Sequence, residues 1–163
     1  MRKVAFSILV DNSFAVMTRI CSLFVRRGYN IESFSVGVTE DTDTTRMTIV
    51  ATGEEEIIDQ LSKQVNKLAD VIDVFELTDN KSIFRELVLI KVEVNKDNRS
   101  ELISIVDLFR AKIIDVSPDS FIIEATGDQG KIEGLLAMLK GFNIKELVRT
   151  GTTGLTRGIY DVK

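Results

Sequence analysis

The fold is decided by residues 4–28, whose sequence is VAFSILVDNSFAVMTRICSLFVRRG. In residues 4–10, apolar side chains occupy both sets of alternating positions, which predicts a strand buried on both faces. Apolar residues then recur at helical spacing in 16–24, which predicts a helix. The cationic turn that follows, ending in Gly28, is typical of a helix end. We therefore expect a buried strand followed directly by a helix.

The connection between this strand and this helix is rich in side-chain oxygens. Asp11, Asn12 and Ser13 are residue types that cap helices. The free backbone N–H groups at a helix start are also suited to an anion, such as the carboxylate of an amino acid. Asn12, and Asn30 after the helix, can contact a carboxylate or an ammonium group. Two interpretations remain open: these residues bind a ligand, or Asn12 is only a cap and Asn30 only a turn residue.

The rest of the first half continues with two strands, a helix and a strand. Residues 30–38 and 46–52 have strand character on either side of a polar connection. Glu54, Glu55 and Glu56 place acid at the start of a second helix, where the helix dipole favours it. The apolar positions of this helix are Ile57, Ile58, Leu61, Val65 and Leu68. Residues 71–77 close the unit as a strand, so the predicted order is βαββαβ.

The second half follows the same order after a polar linker at 78–82. A strand begins at Leu87, and Asn98 with Glu101 resembles a capping box at the start of the next helix. Two strands joined by a turn at Pro118 and Asp119 come next. The last helix is predicted to end at Gly141. The apolar positions of the two helices are Leu102, Ile105, Val106, Phe109, Ile132, Leu135, Leu136 and Leu139.

Repeated letters link the two halves. Leu23-Phe24 recurs as Leu108-Phe109, and ATGE at 51–54 recurs as ATGD at 125–128. We expect an α+β protein made by internal duplication, with one ferredoxin-like βαββαβ unit at 1–78 and a second at 83–163. Each four-stranded sheet has two helices on one face, and we expect a second copy of the chain to cover the other face.

The composition offers little for catalysis. The 163 residues include no histidine, the commonest general base and metal ligand, and a single cysteine, Cys21, in an apolar helical pattern that predicts a core thiol. Glu40, Asp41 and Asp43 have no EF-hand spacing, so a solvated loop is favoured over a metal site. The stretch 151–154 is too short for a phosphate loop and lacks its lysine. We expect a non-catalytic chain without a metal.

Charge and hydropathy restrict the partners. The formal charge is −4, from 21 basic and 25 acidic residues, which gives no cationic excess for nucleic acid. The apolar stretch at the N-terminus is short and has no cleavage signal, and no apolar run approaches the roughly 20 residues of a membrane span. We therefore expect a cytoplasmic protein that binds neither nucleic acid nor a membrane.

Several stretches together resemble a known family. They are LVDN at 9–12, FVRRGYNIES at 24–33, RMTI at 46–49, QVNKL at 64–68, FRAKIIDV at 109–116 and RTG at 149–151. The chain is similar over almost its whole length to the small regulatory subunit of acetohydroxyacid synthase (acetolactate synthase), whose N-terminal part is an ACT domain.

The resemblance implies a regulatory role for the chain and a catalytic role for its partner. The large catalytic subunit of this family holds thiamine diphosphate, Mg²⁺ and FAD, and it works in branched-chain amino-acid biosynthesis (valine, leucine and isoleucine). The small subunit raises that activity and mediates feedback inhibition by valine, which binds where two ACT domains of a homodimer meet. The corresponding positions here are Asp11, Asn12, Ser13, Phe14 and Ala15 in the loop, Thr18 on the first helix turn, and Asn30 with Ile31 from the facing region.

One position departs from the family pattern. The family usually has glycine, often after proline, where this chain has Ala15. A positive φ costs alanine roughly 1 kcal/mol or more, and its methyl group can occlude a ligand carboxylate. We therefore expect activation of the large subunit to be intact and valine sensitivity to be weakened. An alternative is a stand-alone ACT-type sensor dimer that has no enzyme partner.

Overall fold

The computed structural model describes residues 2–159, except the side chains of Glu55, Glu56, Ile57 and Asp59. The chain divides into two compact units. The first contains residues up to Ile83 together with the segment from Thr152 onward, and the second is Phe84–Gly151. The acidic helix start predicted at Glu55 and Glu56, and the core position predicted at Ile57, lie outside the described side chains.

The first unit has the predicted βαββαβ order. Its elements are β1 (Arg2–Asp11), α1 (Val16–Arg26), β2 (Asn30–Val38), β3 (Thr44–Gly53), α2 (Glu55–Val65) and β4 (Val71–Leu77). The four strands form an antiparallel sheet in the order β2-β3-β1-β4. This arrangement confirms the ferredoxin-like fold predicted for this half.

The core of the first unit lies between the helices and one face of the sheet. Alternate residues of β1, from Val4 to Val10, pack against Ile20 and Phe24 of α1 and against Leu61 of α2. Gly28 ends α1 with φ +75°, a conformation that glycine adopts without strain. The helix end predicted from the sequence is therefore confirmed.

The other face of this sheet is covered by the chain's own C-terminal segment. A short strand, β9 (Thr153–Thr156), contacts β1, β3 and β4. The Gly154 N–H donates to Thr48 Oγ1 at 3.3 Å, and Leu9 and Val50 on the same face are buried. The sequence predicted a glycine-rich turn at 151–154 and a second copy over this face. Instead, residues 152–159 pack with the first unit, although the predicted boundary assigned them to the second.

The second unit repeats the fold of the first. Its elements are β5 (Ser82–Glu93), α3 (Arg99–Leu108), β6 (Lys112–Val116), β7 (Ser120–Gly127), α4 (Gln129–Met138) followed by a 3₁₀ turn (Leu139–Gly141), and β8 (Ile144–Arg149). The strand order is β6-β7-β5-β8. The helices pack on one face around Ile90, Leu102, Ile123 and Leu135. The duplicated architecture is thus confirmed.

Two polar side chains of the second unit, Asn98 and Glu86, have hydrogen-bond partners that were not predicted from the sequence. Asn98 does not form the predicted capping box, because its Oδ1 accepts from the Asn95 N–H at 2.8 Å, outside the helix. Glu86 is 5% exposed and its carboxylate accepts two bonds from the Arg149 guanidinium, at 2.6 and 2.7 Å. The same bonds raise the pKa of Arg149. A buried carboxylate is tolerated there because it is paired.

Candidate functional site

The loop between β1 and α1 is held at one end of the first sheet. The Asp11 N–H donates to the Asp70 carbonyl at 2.9 Å, and the Asn12 N–H donates to the Asp43 carbonyl at 2.7 Å. All loop side chains from Asp11 to Ala15 are exposed. The backbone of the loop is therefore anchored while its side chains face solvent.

The side chains of Asn12 and Ser13 do not cap α1. Asn12 Nδ2 donates to the Thr42 carbonyl at 3.0 Å, and Ser13 Oγ donates to Asp70 Oδ1 at 3.3 Å. Both side chains thus bind neighbouring loops instead of the helix. The interpretation of Asn12 as a simple cap is wrong, because its amide is used to join two loops.

Ala15 occupies the capping position in the left-handed conformation, with φ +66° and ψ 0°. Only one other described non-glycine residue has a positive φ, namely Arg110 at +50°. An alanine side chain makes no capping bond, and no side chain among residues 2–159 is recorded as capping the first turn of α1. The helix start therefore retains backbone donors, and the Ala15 Cβ adjoins them.

The exposed surface around this helix start is mixed in polarity. Phe14 is fully exposed at 101%, and Thr18 presents a hydroxyl from the first turn. Farther along the helix, Met17, Cys21 and Val25 line a shallow depression of about 500 Å³. Cys21 is half-buried, so the prediction of a core thiol is only partly met. Donors and apolar surface together suit a small amphipathic ligand such as an amino acid.

Asn30 and Ile31 lie at the opposite end of the same sheet. Asn30 pairs with Thr52 of β3, which pairs with Lys3 of β1. Lys3 and Asp11 are eight residues apart on β1, which corresponds to about 27 Å. Asn30 is exposed, whereas Ile31 packs against the core. Asn30 is therefore a strand residue and not a turn residue, and one chain does not bring the two groups of predicted residues together.

The environment of Asn30 contains an ion pair. Lys3 Nζ lies 2.7 Å from Glu32 Oε2, and the Thr52 hydroxyl also donates to this carboxylate. These bonds, with that from Lys3 the stronger, lower the pKa of Glu32. Burial raises the pKa of the adjacent Tyr29 phenol. This end of the sheet offers an amide, a paired carboxylate and a paired ammonium.

The acidic connection between β2 and β3 forms a tight turn. Asp41 Oδ1 accepts from the Asp43 N–H at 3.0 Å, and Glu40, Asp41 and Asp43 are all exposed. Within the described residues, no group of three or more histidine, cysteine, aspartate or glutamate side chains is arranged to hold a metal ion. In the same part of the chain, no helix has the length and apolarity that a bilayer crossing requires.

Sequence reasoning missed a groove between α1 and α2. It has a volume of about 470 Å³ and is lined by Thr18, Arg19, Ser22, Leu23, Arg26, Arg27, Gln64 and Leu68. The available signal was the helical spacing of Arg19, Arg26 and Arg27 on α1. The groove that these arginines line forms only when α2 packs beside α1 and adds Gln64 and Leu68 to the lining.

Both units match models of a single family. Residues 85–158 match the model described as the small subunit of acetolactate synthase. Residues 6–73 match the model described as the acetohydroxyacid synthase (AHAS) small subunit-like ACT domain. The two matches together cover both βαββαβ units.

Individual relatives match over nearly the whole chain. The acetolactate synthase small subunit of Mycobacterium bovis is 49% identical, over 93% of this chain and 90% of the relative. The probable acetolactate synthase small subunit of Archaeoglobus fulgidus is 46% identical, over 96% of this chain and 98% of the relative. The crystal structure of the acetolactate synthase small subunit from Thermotoga maritima superposes with a TM-score of 0.89 at 36% identity, over 98% of this chain and 100% of that chain.

Proposed function

Since the chain belongs to the family of acetolactate synthase small subunits, we propose that it is the regulatory subunit of that enzyme. It binds the large catalytic subunit, raises its rate of acetolactate formation and transmits feedback inhibition by valine in branched-chain amino-acid biosynthesis. The single observation that carries this proposal is the similarity to small subunits across both units. Thiamine diphosphate, Mg²⁺ and FAD belong to the large subunit, and this chain contributes regulation without chemistry.

The effector site in this proposal is shared between two copies of the chain. The loop residues Asp11, Asn12, Ser13, Phe14 and Ala15, with Thr18, come from one copy, and Asn30 with Ile31 from the other. The separation of about 27 Å within one chain supports this division, because a molecule the size of valine is only several ångströms long. A homodimer through the ACT domains is therefore part of the proposal.

The edge strand β2 favours one way of forming this dimer. Within the part of the chain that the structure describes, no strand pairs with its outer edge, and Val36 and Val38 on it are 46% and 57% exposed. Antiparallel pairing of β2 with its copy would bring Asn30 of one chain beside the end of β2 in the other. Val38 pairs with Thr45 there, one residue from the pair between Asp11 and Thr44. Asn30 would thus approach the partner's loop.

An apolar side of α1 supports the same dimer. Met17, Cys21 and Val25 lie at helical spacing on this side, and Met17 and Val25 are 48% and 69% exposed. An exposed apolar side on a helix, next to an unpaired edge strand, is typical of a surface buried in an assembly. Two copies related by a twofold axis would bury both features together.

Ala15 weakens valine binding in this proposal. Its φ of +66° is the conformation for which the family's glycine is suited, and its Cβ stands where the backbone would approach the ligand carboxylate. The chain then keeps its activating role while responding less to valine.

Titration calorimetry with valine tests the effector site. We expect Ala15→Gly to bind valine roughly five to ten times more tightly than the natural chain, which is about 1–1.4 kcal/mol. Ala137→Gly, at an exposed position of α4 in the second unit, is the matched control and should leave valine affinity unchanged. Equal affinity of the natural chain and Ala15→Gly would contradict the role of Ala15.

Sedimentation of the chain with a purified large subunit separates this proposal from a stand-alone sensor. We expect one complex that contains both chains. A dimer of this chain that binds valine but never sediments with the large subunit would favour the sensor and refute the regulatory subunit.

A further inference from the structure

The groove between α1 and α2 carries positive charge that the described residues do not neutralise. The Arg19 guanidinium lies 2.5 Å from the Asp70 carboxylate, so its charge is balanced. Arg27 donates to Gln64 Oε1 at 2.8 Å, and this amide is neutral. Arg26 is exposed and has no ion-pair partner in the part of the chain that the structure describes. Two guanidinium charges therefore remain at one end of the groove.

The helix dipole does not account for both charges. Arg26 and Arg27 lie at the carboxyl end of α1, which carries roughly half a negative charge. Two guanidinium groups exceed that amount by more than one unit. This local excess occurs in a chain whose formal net charge is −4. The groove is thus a cationic site on an acidic protein, and it complements an anion.

The shape and floor of the groove favour a stretch of polypeptide over a compact ion. Its lining runs from Thr18 to Arg27 along α1, nine residues or about 14 Å. Leu23 and Leu68 are half-buried and contribute apolar surface to the lining, which serves here as the floor of the groove. A segment that alternates apolar and carboxylate side chains would contact both the floor and the cationic rim.

The groove lies on the flank of α1 that faces α2. Met17, Cys21 and Val25 line only the depression on the other flank, where the dimer is proposed, and Thr18, Ser22 and Arg26 border both surfaces. The part of the groove that the dimer would leave accessible is lined by Arg19, Leu23, Arg27, Gln64 and Leu68. A regulatory subunit must contact its enzyme through surface that its own dimer leaves free.

We propose that the groove between α1 and α2 is the docking site for an acidic segment of the catalytic subunit. This inference rests on the proposed function, which supplies the partner. Arg26 and Arg27 bind carboxylates of the segment, the hydroxyl of Ser22 donates to it, and Leu23 with Leu68 receives an apolar side chain. Each dimer presents two such grooves.

Charge reversal at Arg26 tests the proposal with a closely matched control. Arg26 and Lys63 are the basic residues in the last turns of two helices of 11 residues each, and Lys63 does not line the groove. We expect Arg26→Glu to sediment alone as the natural chain does, which shows an intact dimer, and to weaken binding of the intact chain to the catalytic subunit at least about tenfold, because it sets one carboxylate against another. Lys63→Glu should change the dissociation constant less than about twofold.

The outcomes separate the docking site from the proposed function. If the natural chain binds the catalytic subunit and both variants bind equally well, or are weakened equally, the groove is not the docking site. If the natural chain does not bind at all, the proposed function itself fails. Arg26→Gln, which removes the charge without reversing it, should give an intermediate loss and keeps the test valid if Arg26→Glu does not fold.

A photo-crosslinking side chain at Gln64, which lines the groove but not the depression where the dimer is proposed, identifies the occupant. After irradiation of the assembled complex, we expect the crosslinked peptide to come from the catalytic subunit and to contain at least two aspartate or glutamate residues. A crosslink to a second copy of this chain, or to a peptide without acidic residues, would overturn the proposal.

Discussion

Ala15 combines backbone strain with a position at the proposed effector site. Its φ of +66° costs an L-residue with a side chain about 1–2 kcal/mol. Replacement by glycine removes that cost. It also makes the unfolded chain more flexible, which lowers the free energy of unfolding by about 0.4–1 kcal/mol. The balance favours glycine, so the native alanine makes the folded first unit less stable than it could be.

Ala15→Gly should raise the free energy of unfolding by about 0.5–1 kcal/mol. Urea denaturation of the natural chain and the variant measures the difference. Ala137→Gly is the control with the opposite sign, because Ala137 lies in the last turn of α4 and glycine lowers helix propensity there by up to about 1 kcal/mol. A loss of stability in both variants would show that the positive φ at Ala15 is unstrained.

The positions of individual polar side chains could be predicted only in part. The candidate residues of the loop were found from their types and from the family resemblance. The bonds that orient Asn12 and Ser13 were not, because their partners, Thr42 and Asp70, lie 30 and 57 residues away in the chain. The same limit applies to the groove between the helices, where Arg27 meets Gln64 across 37 residues.

Glu32 should make stability depend on pH. Bonds from Lys3 and Thr52 lower its pKa in the folded chain, so its contribution is present above the ordinary glutamate range and is lost as the pH falls through the lowered value. Glu32→Gln should therefore be less stable than the natural chain at pH 7 and equal to it in strong acid. Thermal unfolding across pH 2–7 measures this difference in stability. The control Glu40→Gln, in the exposed turn, should match the natural chain in stability throughout this range. A gap that persists in acid would refute the assignment.

The helices and strands follow from local patterns, and the C-terminal segment does not. The strands Asn30–Val38 and Val71–Leu77 have the bounds that alternation and turn residues predicted. By contrast, β9 (Thr153–Thr156) has only four residues, two of them threonine and one glycine, so no periodicity identifies it. It forms because it pairs with residues of β5, which are distant from it in the chain, and such non-local pairing overrode the turn propensity of Gly151 and Gly154.

Removal of the residues after Gly151 should destabilise the first unit selectively. The truncated chain exposes Leu9 and Val50 on the open face of the sheet and loses the bond from Gly154 to Thr48, which together amount to about 2–4 kcal/mol. Hydrogen exchange measures this loss of stability. The amides of β1 and β3 should exchange faster in the truncated chain, whereas the exchange rates of the amides of α3 and β7 should be unchanged. Equal protection of β1 in both chains would show that the segment contributes no stability.

As a whole, the molecule is a duplicated fold in which the two units have diverged. The first contains the strained loop, the unpaired β2 edge and the cationic groove, and the second pairs the buried Glu86 with Arg149. The duplication could be predicted because the apolar pattern and the ATG letters recur. The proposed effector site could not be assembled from one chain, since the two groups of residues proposed for it lie at opposite ends of one sheet.

The measurement that tests the regulatory role most directly is the rate of acetolactate formation by a purified large subunit as this chain is added. The chain alone should produce no acetolactate. At a fixed amount of large subunit, the rate should rise with added chain and then saturate, as expected for a specific complex that activates the enzyme. A rate that stays the same at every ratio of the two chains would contradict the assignment of this protein as a regulatory subunit.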